Sequence, residues 1–398
     1  MVNVAILGFG VVGSGAAEVL ADNRRVIEKN LGEEIAVKRI LDLREFPDSP
    51  FGHLVTHDFN DILNDPDIAI VAEMMGGSHP AYDFSLAALK AGKHVVTSNK
   101  EVVSNFGVEL CSVAAENNVR YLFEASVGGG IPVIRPMIND LASNKITKIC
   151  GILNGTTNYI LTKMRDEGAS FESALCEAQK LGYAEANPSA DVDGIDAARK
   201  ITILAALASG KLVSPKTIYT EGITAISQND TKAAEALGCS IKLIGQAHIA
   251  KDSLLAFVSP AMVQNSCPLS HIDDVFNGIL INANMVGEVM FYGPGAGKLP
   301  TASAVVADII DIIANMDSEL KVISWSAADA ADVASFDEFA SKRVFISSKE
   351  LLFSEDVAVI KTAELDGGFA YMTSELTECE VTELKESNAA ITSVFRVI

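Results

Sequence analysis

The sequence lacks the usual marks of secreted, zinc-binding and membrane-spanning proteins. Its six cysteines include no CxxC pair, and its six histidines show no HExxH spacing. Scattered cysteines in a chain without a secretion signal are typical of reduced thiols, and the histidine spacing argues against a transition-metal site. No apolar run reaches about 18 residues, the length expected of a membrane helix. The start of the chain has no basic, cleavable leader pattern. We therefore expect a cytoplasmic protein with no membrane partner.

Positive charge is also scarce. The chain of 398 residues has 31 Lys and Arg against 52 Asp and Glu, a formal net charge of −21. Such a surface repels phosphate backbones and anionic membranes, so we expect no nucleic-acid partner. An anionic dinucleotide would therefore need a local site made of backbone N–H groups.

Strand-like and helical segments alternate from the first residues. The strand-like runs are VNVAILG, IAVKRILD, AIVAEMM, HVVTSN and VRYLFEAS, the last covering Val119 to Ser126. This alternation predicts an α/β fold with a Rossmann-type doubly wound parallel sheet over residues 1–126. A small-residue helix at about 299–318 could complete it. The remaining regions are predicted as an α+β domain at 127–298, a linker at 319–342 and a small α+β module at 343–398. In that module RVFISS, KELLFSEDVAVI, GFAYMT and VFRVI suggest the order β-α-β-β.

A glycine loop follows the first predicted strand. Gly8, Gly10 and Gly13 form GFGVVG at the head of a helix. In a dinucleotide loop the first glycine permits a tight turn, the second lets pyrophosphate approach the backbone, and the third allows close packing of helix on strand. The same letters elsewhere could be a simple turn, but their position here favours dinucleotide binding.

The end of the second predicted strand bears on the choice of cofactor. Asp42 stands where an acidic residue binds a ribose 2′-hydroxyl, which favours NAD. Arg44 could instead bind the 2′-phosphate of NADP. Both side chains could also do no more than solvate a strand end, so the sequence leaves the preference between NAD and NADP open.

Charged residues gather between Ala178 and Lys200 in AQKLGYAEANPSADVDGIDAARK. Asp196 and Lys200 are four residues apart and share one face of a helix that is apolar almost all round, which predicts burial. An exposed ion pair is the alternative. Buried Asp and Lys are rare unless paired, and such pairs are often functional. Lys100, in TSNK, follows a parallel strand at the edge of the sheet where ligands bind, although it could be a surface lysine.

These residues suit the reduction of an aldehyde. Hydride addition leaves an alkoxide that needs a cation and a proton donor, and the ammonium group of an amino-acid substrate would be bound by carboxylates such as Glu185 and Asp191. A further segment, EASVGGGIPVI, joins one carboxylate to free carbonyl oxygens, the ligands of hard cations. Spacing alone favours a glycine loop packed against cofactor.

Several of these motifs together resemble homoserine dehydrogenases. The run Ala178 to Lys200 matches that family's signature, and GFGVVG, TSNK, EASVGGGIPVI, ILNGTTNYIL and GPGAGKLPTAS occur in the family's order, over roughly Val2 to Met316. The resemblance implies NAD- or NADP-dependent interconversion of L-aspartate 4-semialdehyde and L-homoserine in threonine, methionine and isoleucine biosynthesis. It also implies a homodimer or homotetramer, with residues 127–298 serving for dimerisation and catalysis. No aspartokinase region precedes GFGVVG, which is typical of the monofunctional form.

The resemblance also implies roles for individual residues. Lys200 would transfer the proton with Lys100 as its partner, while Glu185 and Asp196 would contact homoserine and Asp191 would shape the pocket. Glu124 and the backbone of Val127, Gly129 and Ile131 would bind a sodium-like monovalent cation. The residues lining the dinucleotide would be Phe9, Gly10, Val12, Gly13, Thr97, Lys100, Gly182 and Gly297.

The C-terminal module departs from the family pattern. Many relatives carry an ACT regulatory domain there, with an acidic–Lys–Pro–Gly turn that this sequence lacks. We expect a reduced ACT-like module that serves assembly more than threonine binding.

Two other functions remain open at this point. One is aspartate-semialdehyde dehydrogenase, which needs a cysteine nucleophile such as Cys150. The other is a dinucleotide sensor without catalysis. The joint presence of Lys100, Glu185, Asp196 and Lys200 argues against a sensor.

Overall fold

In the computed structural model, which describes residues 1–319 and 323–398, the chain divides into two units. The first comprises Met1–Lys145, Thr202–Pro215 and Gly293–Ala328, and the second Ile146–Ile201, Lys216–Tyr292 and Asp329–Ile398. Residues 320–322, part of the predicted linker 319–342, lie outside the described residues. The predicted domain boundaries stay a prediction. No described helix is both long and apolar enough to cross a membrane.

The first unit contains a six-stranded parallel sheet with the order β3-β2-β1-β4-β5-β6. This confirms the predicted Rossmann-type sheet. Its strands are β1 (Val2–Leu7), β2 (Ile35–Leu41), β3 (Val55–Thr56), β4 (Ile68–Glu73), β5 (His94–Thr97) and β6 (Tyr121–Leu122).

The strand predicted over Val119 to Ser126 is much shorter than expected. Only Tyr121–Leu122 pairs with a neighbour, and a 3₁₀ turn follows at Glu124–Ser126. The buried Glu124 carboxylate accepts backbone N–H groups from Val133, Ile134 and Arg135. The turn places the Glu124 carboxylate beside these N–H donors. An extended strand would place it farther along the chain, beyond their reach.

Helices cover the sheet of the first unit. They are α1 (Val11–Asp22), α2 (Arg24–Leu31), α3 (Asn60–Leu63), α4 (Ala81–Lys90), α5 (Lys100–Glu116), α6 (Ile134–Ile138) and α12 (Lys298–Ala314). The small, apolar face of α12 shares a buried core with α1 and the sheet. Any side chain at Gly15 of α1 would press on Lys298 and Ala302 of α12. The two helices therefore pack closely because their facing residues are small.

The second unit is organised around one long mixed sheet with the order β13-β12-β7-β10-β11-β18-β15-β17-β16, while β9 pairs with β11. Its strands are β7 (Ile146–Ile152), β9 (Tyr219–Thr220), β10 (Cys239–Ile249), β11 (Leu254–Gln264), β12 (Phe276–Ala283), β13 (Gly287–Pro294), β15 (Ala340–Ser347), β16 (Val359–Leu365), β17 (Gly368–Thr377) and β18 (Ile391–Val397). The short strands β8 (Lys211–Leu212) and β14 (Ser326–Ala327) pair with each other in the first unit.

The remaining helices begin in the second unit, and α10 continues past its boundary at Ile201. They are α7 (Gly155–Asp166), α8 (Phe171–Lys180), α9 (Ser189–Val192), α10 (Ile195–Ser209), α11 (Gln228–Ala236) and α13 (Glu378–Ser387). The segment KITKICGILNGTTNYIL forms β7, a turn and the first part of α7.

The C-terminal segment has a different element order from the predicted β-α-β-β. KELLFSEDVAVI forms no helix, and the only helix among residues 343–398 is α13. Thr377 and Glu380 form a capping box that starts α13 directly after β17. Strand β18 then pairs in parallel with β11, with Ala261 opposite Arg396. The segment thus extends the sheet of the second unit.

A buried charge cluster fastens α13 to this sheet. Glu378 accepts hydrogen bonds from the guanidinium groups of Arg343 at 2.8 Å and Arg396 at 2.7 and 2.8 Å. The side chain of Arg343 is only 1% exposed, and that of Arg396 8%. Glu378 is thus shared by two buried guanidinium groups, and Glu221 adds a longer contact to Arg396 at 3.4 Å.

We expect Glu378→Ala to lower the free energy of unfolding by about 3–5 kcal/mol, because it removes the carboxylate that pairs with the buried guanidinium group of Arg343 and most closely with that of Arg396. Urea denaturation would measure this loss. Glu386→Ala, an exposed position of the same helix, should change the free energy by about 0.5 kcal/mol or less. Equal effects of the two substitutions would show that the cluster contributes nothing specific.

Candidate active site

The glycine loop has two of the three features predicted for it. Gly8 has a φ of +85°, which permits the tight turn after β1, and a Cβ atom on Gly13 would overlap the Gly8 carbonyl oxygen. A Cβ on Gly10 would meet nothing within 4 Å. Gly10 supplies no side-chain cap to α1, so the first N–H groups of this helix can face an anion.

The residues beside these glycines differ in their surroundings. Phe9 is 4% exposed, and its ring contacts the ring of Phe46 edge-on, with centroids 5.0 Å apart. Val12 is half-buried and packs against the hydrophobic core of the first unit, to which Phe9 belongs. Gly297, with a φ of +123°, is the residue that precedes α12. The ring of Phe9 therefore belongs to the core of the first unit.

Asp42 and Arg44 interact directly at the end of β2. Arg44 donates to both carboxylate oxygens of Asp42 at 3.0 Å, and the Phe9 N–H donates to Oδ2 at 2.8 Å. The hydrogen bonds from Arg44 lower the pKa of Asp42 to about 2, so it is a carboxylate at neutral pH. The Arg44 guanidinium also lies over the ring of Phe46. This places both predicted cofactor-selecting residues beside the glycine loop.

The TSNK segment lies at the carboxyl end of β5. Thr97 ends the strand, Asn99 caps α5 by accepting the N–H groups of Glu101 and Val102, and Lys100 is the first residue of the helix. The Thr97 hydroxyl donates to buried Glu73 at 2.6 Å. Thr97 and Lys100 were predicted as site residues from the sequence, whereas Glu73 and Asn99 were not.

The predicted pair of Asp196 and Lys200 is buried in the second unit. Lys200 Nζ donates to Asp196 Oδ2 and to the Leu153 carbonyl oxygen, both at 2.7 Å. Lys200 is 6% exposed and Asp196 3%. The prediction that this helix face is buried is therefore correct, and the exposed ion pair is ruled out.

Asn154 completes this network, although sequence analysis gave it no role. Its side-chain NH₂ group donates to Asp191 at 2.7 Å and to Asp196 at 2.9 Å, while its Oδ1 atom accepts the Thr157 N–H and caps α7. One amide thus joins the loop after β7 to both carboxylates. Its motif, ILNGTTNYIL, was noticed only as a resemblance.

Other predicted site residues lie outside this network. Glu185 is exposed in the turn after α8, where its backbone carbonyl accepts Gln179 Nε2 at 3.1 Å. Gly182, with a φ of +78°, occupies the start of that turn and is also exposed. The structure therefore groups Asp191, Asp196 and Lys200 closely and leaves Glu185 at a solvent-facing turn.

Glu124 is the centre of a buried polar cluster in the first unit. It is 2% exposed, and its Oε1 atom accepts two N–H groups while Oε2 accepts that of Arg135 at 2.7 Å. Asp308 of α12 accepts the Glu124 N–H at 2.8 Å and Arg135 Nη2 at 2.6 Å. Burial, followed by the charge of Glu124, raises the pKa of Asp308 to about 7. Sequence analysis did not identify Asp308.

Comparison with known proteins agrees with this geometry. The family model of the homoserine dehydrogenase NAD-binding domain matches residues 8–124, and that of homoserine dehydrogenase matches 132–310. The homoserine dehydrogenase of Neisseria gonorrhoeae is 45% identical over 314 residues, 78% of this chain and 72% of that protein. The chain belongs to the homoserine dehydrogenase family.

Solved structures extend the comparison. A Thiobacillus denitrificans homoserine dehydrogenase is 33% identical, with a TM-score of 0.91 over 100% of this chain and 98% of its own. A hyperthermophilic archaeal homoserine dehydrogenase in complex with NADPH is 29% identical, with a TM-score of 0.69 over 80% of this chain and 98% of its own. The protein is therefore an NAD(P)-dependent oxidoreductase of the homoserine dehydrogenase type.

Because the chain belongs to the homoserine dehydrogenase family, the alternative function of aspartate-semialdehyde dehydrogenase is excluded. The surroundings of Cys150 give the physical reason. Cys150 is 1% exposed in β7, and burial raises its pKa to about 11. A thiol of that kind supplies almost no thiolate at neutral pH. It packs in the core of the sheet with Ile152 and Ile244.

Asn154→Asp tests whether the Asn154 amide holds the carboxylates of Asp191 and Asp196 in place. Aspartate is a good helix cap, so the fold should be retained, but its carboxylate would repel Asp191 and Asp196. We expect kcat/KM for homoserine to fall by about 10- to 100-fold, the scale of a small misplacement of reacting groups. Ser170→Ala, which removes the cap of α8, is the matched control and should retain kcat/KM. Unchanged kcat/KM in Asn154→Asp would contradict this role.

Proposed function

We propose that this protein interconverts L-aspartate 4-semialdehyde and L-homoserine with Lys200 as the proton carrier. When bound, the nicotinamide cofactor would supply the hydride that reduces the aldehyde carbon. The Lys200 ammonium would donate the proton that the carbonyl oxygen needs. The observation that supports this role best is the pair of 2.7 Å contacts to Asp196 and the Leu153 carbonyl. They hold the amine of Lys200 in one place, as a proton carrier requires.

Lys100 is proposed as the partner of Lys200 in the same reaction. It begins α5 at the carboxyl end of a parallel strand, the edge at which doubly wound folds bind ligands. Thr97, Lys100, Gly182 and Gly297 are proposed to line the dinucleotide with the glycine loop. A second cation near the substrate would help to stabilise the negative charge that develops on its oxygen.

The carboxylates are proposed to recognise the amino-acid part of homoserine. Asp196 and Asp191 accept hydrogen bonds from the same Asn154 amide, so they lie within a few ångströms of each other. Two carboxylates at this separation attract an ammonium group, and Glu185 would add a third from the exposed turn.

Lys200→Ala should lower kcat for homoserine oxidation by about 100-fold or more, the usual scale for loss of a positioned proton carrier. The wild type should be faster at alkaline pH, because the amine of Lys200 must be neutral to accept the hydroxyl proton. Lys200→Arg retains the positive charge, but a guanidinium group stays protonated and cannot cycle a proton, so this variant should be equally impaired. A change in KM alone, with kcat intact, would assign Lys200 a binding role only.

Asp42 is proposed to make NAD the preferred cofactor. It remains a carboxylate at neutral pH, as its lowered pKa requires, and it lies beside the glycine loop where a ribose hydroxyl can donate to it. Arg44 is engaged by Asp42 through two hydrogen bonds. A 2′-phosphate would have to separate this pair and would face the carboxylate.

Asp42→Ala should therefore narrow the difference in kcat/KM between NAD and NADP, because it removes the repulsion and releases Arg44 for the phosphate. Steady-state kinetics with both cofactors measure this ratio. Arg44→Ala is the matched substitution, and it should leave NAD as the better cofactor. A wild-type enzyme that strongly prefers NADP would contradict the proposal.

A monovalent, sodium-like cation is proposed at Glu124 with the backbone carbonyl oxygens of Val127, Gly129 and Ile131. Each carboxylate oxygen has two lone pairs, and Glu124 Oε2 accepts one N–H group, so one lone pair remains for a ligand. Carboxylate and carbonyl oxygens suit a hard cation. No described group of three or more His, Cys, Asp or Glu side chains could hold a metal, so this site depends on backbone oxygens. A Tm independent of sodium concentration would contradict it.

A homodimer or homotetramer is proposed, and β13 at the end of the long sheet is a surface suited to it. Phe276 and Tyr292 stack there with ring centroids 5.4 Å apart, and Met285 and Met290 are exposed. An exposed strand edge with apolar side chains favours pairing with another chain. A monomeric mass in light scattering would contradict this.

A cytoplasmic location is also proposed. All six cysteines are free, as is typical of a reducing compartment. Cell fractionation would test it.

A further inference from the structure

One buried carboxyl group of the first unit has no part in the reaction as described so far. Glu73 is the last residue of β4, and its exposed fraction is 0%. Burial raises the pKa of Glu73 to about 7. A buried carboxyl group costs stability unless it is hydrogen-bonded, so its partners indicate what it does.

The carboxyl group of Glu73 joins two loops at the carboxyl edge of the sheet. Oε1 accepts the N–H of Met75 at 2.7 Å, in the loop after β4. Oε2 accepts the hydroxyl of Thr97 at 2.6 Å, in the segment after β5. The Ser98 N–H also donates to the Glu73 backbone carbonyl at 3.2 Å. The two loops are thus fixed to each other through one residue.

These contacts continue to the residue before Lys100. Thr97 Oγ1 accepts the Asn99 N–H at 2.9 Å, and Asn99 Nδ2 donates to the carbonyl oxygens of Met75 and Gly77 at 3.2 and 2.8 Å. Asn99 Oδ1 then caps the helix that Lys100 begins. The backbone position of Lys100 therefore depends on a chain of hydrogen bonds that starts at Glu73.

Uncharged side chains donate to the Glu73 carboxyl group, those of Thr97 at 2.6 Å and Asn99 at 3.5 Å. Tyr121 of β6 is an ionisable group whose pKa responds to the charge of Glu73. Burial, Cys111 of α5 and Glu73 together raise the pKa of Tyr121. Tyr121 and Cys111 are thus neutral at ordinary pH, and Glu73 is the member of this group that titrates near neutrality.

We propose that Glu73 is a positioning residue of the reaction, which holds the Thr97–Asn99 turn in place and through it sets the position of Lys100. This inference rests on the proposed role of Lys100. Glu73 has an exposed fraction of 0% and so presents no surface to a substrate or cofactor. Its contribution is to fix a reacting group, for which displacements of about 1 Å have large effects on rate.

Glu73→Ala and Glu73→Gln separate positioning from simple stability. Alanine removes the acceptors of Met75 and Thr97, and we expect kcat to fall by about 10-fold or more. The KM for homoserine should change by less than about 2-fold, because its proposed carboxylates lie in the second unit. Glutamine retains an acceptor for Met75 and a donor to Thr97, so kcat should stay within about 3-fold of wild type. Asp230→Ala, which removes an equally buried carboxylate from the cap of α11, is the control for lost stability.

The pH dependence of stability provides a second measurement. A folded-state pKa raised above the unfolded value contributes stability at low pH that is lost as pH rises through the folded value. Glu73→Gln cannot ionise, so its Tm relative to wild type should increase as pH rises from about 5 to about 8. A difference in Tm that does not vary with pH would show that Glu73 is not buried as described, and would overturn the proposal.

A double-mutant cycle with Lys100→Ala decides the outcome. If Glu73 acts through Lys100, Glu73→Ala should cost little further activity once Lys100 is absent. Additive losses, or a Glu73→Ala enzyme that loses Tm like Asp230→Ala but retains kcat, would overturn the inference while Lys100 keeps its role. Full activity of Lys100→Ala alone would instead refute the proposed function of Lys100, and the inference with it.

Discussion

The buried ammonium group of Lys200 is the constraint on which the candidate site depends. A charged amine away from water is tolerated only with close acceptors, and Asp196 and the Leu153 carbonyl oxygen provide them at 2.7 Å. Asp196 is buried as well and needs donors, which come from Lys200 and Asn154. Satisfying one charge thus determines where α10, the loop after β7 and the start of α7 lie relative to one another.

The first unit follows the same physical rule at the carboxyl edge of its sheet. Parallel strands end together there, which collects the glycine loop, Asp42 and the TSNK segment. Loops that bind ligands are held by few apolar contacts, so buried polar groups must hold them instead. Glu73 holds the TSNK segment to the loop after β4, and Glu124 with Asp308 holds the glycine-rich turn after β6.

In the C-terminal segment, the helix lies at a different place from the one that the local sequence pattern predicts. KELLFSEDVAVI carries residues that suit a helix, yet the capping box of Thr377 and Glu380 places the helix later, at α13. The Arg343–Glu378–Arg396 cluster then fastens α13 to strands β15 and β18. Once β18 pairs with β11, these strands share the backbone hydrogen bonds of the main sheet.

The sequence by itself predicted three features: the alternation of strands and helices, the glycine loop, and the apolar surroundings of Asp196 and Lys200. It could do so because periodicity and backbone turns are local properties. The residues that hold the site were not predicted. Glu73 meets Thr97 across 24 positions, Asn154 meets Asp196 across 42, and Glu124 meets Asp308 across 184. Single polar residues have no periodicity, and only the folded chain decides which of them become buried and which partners then satisfy them.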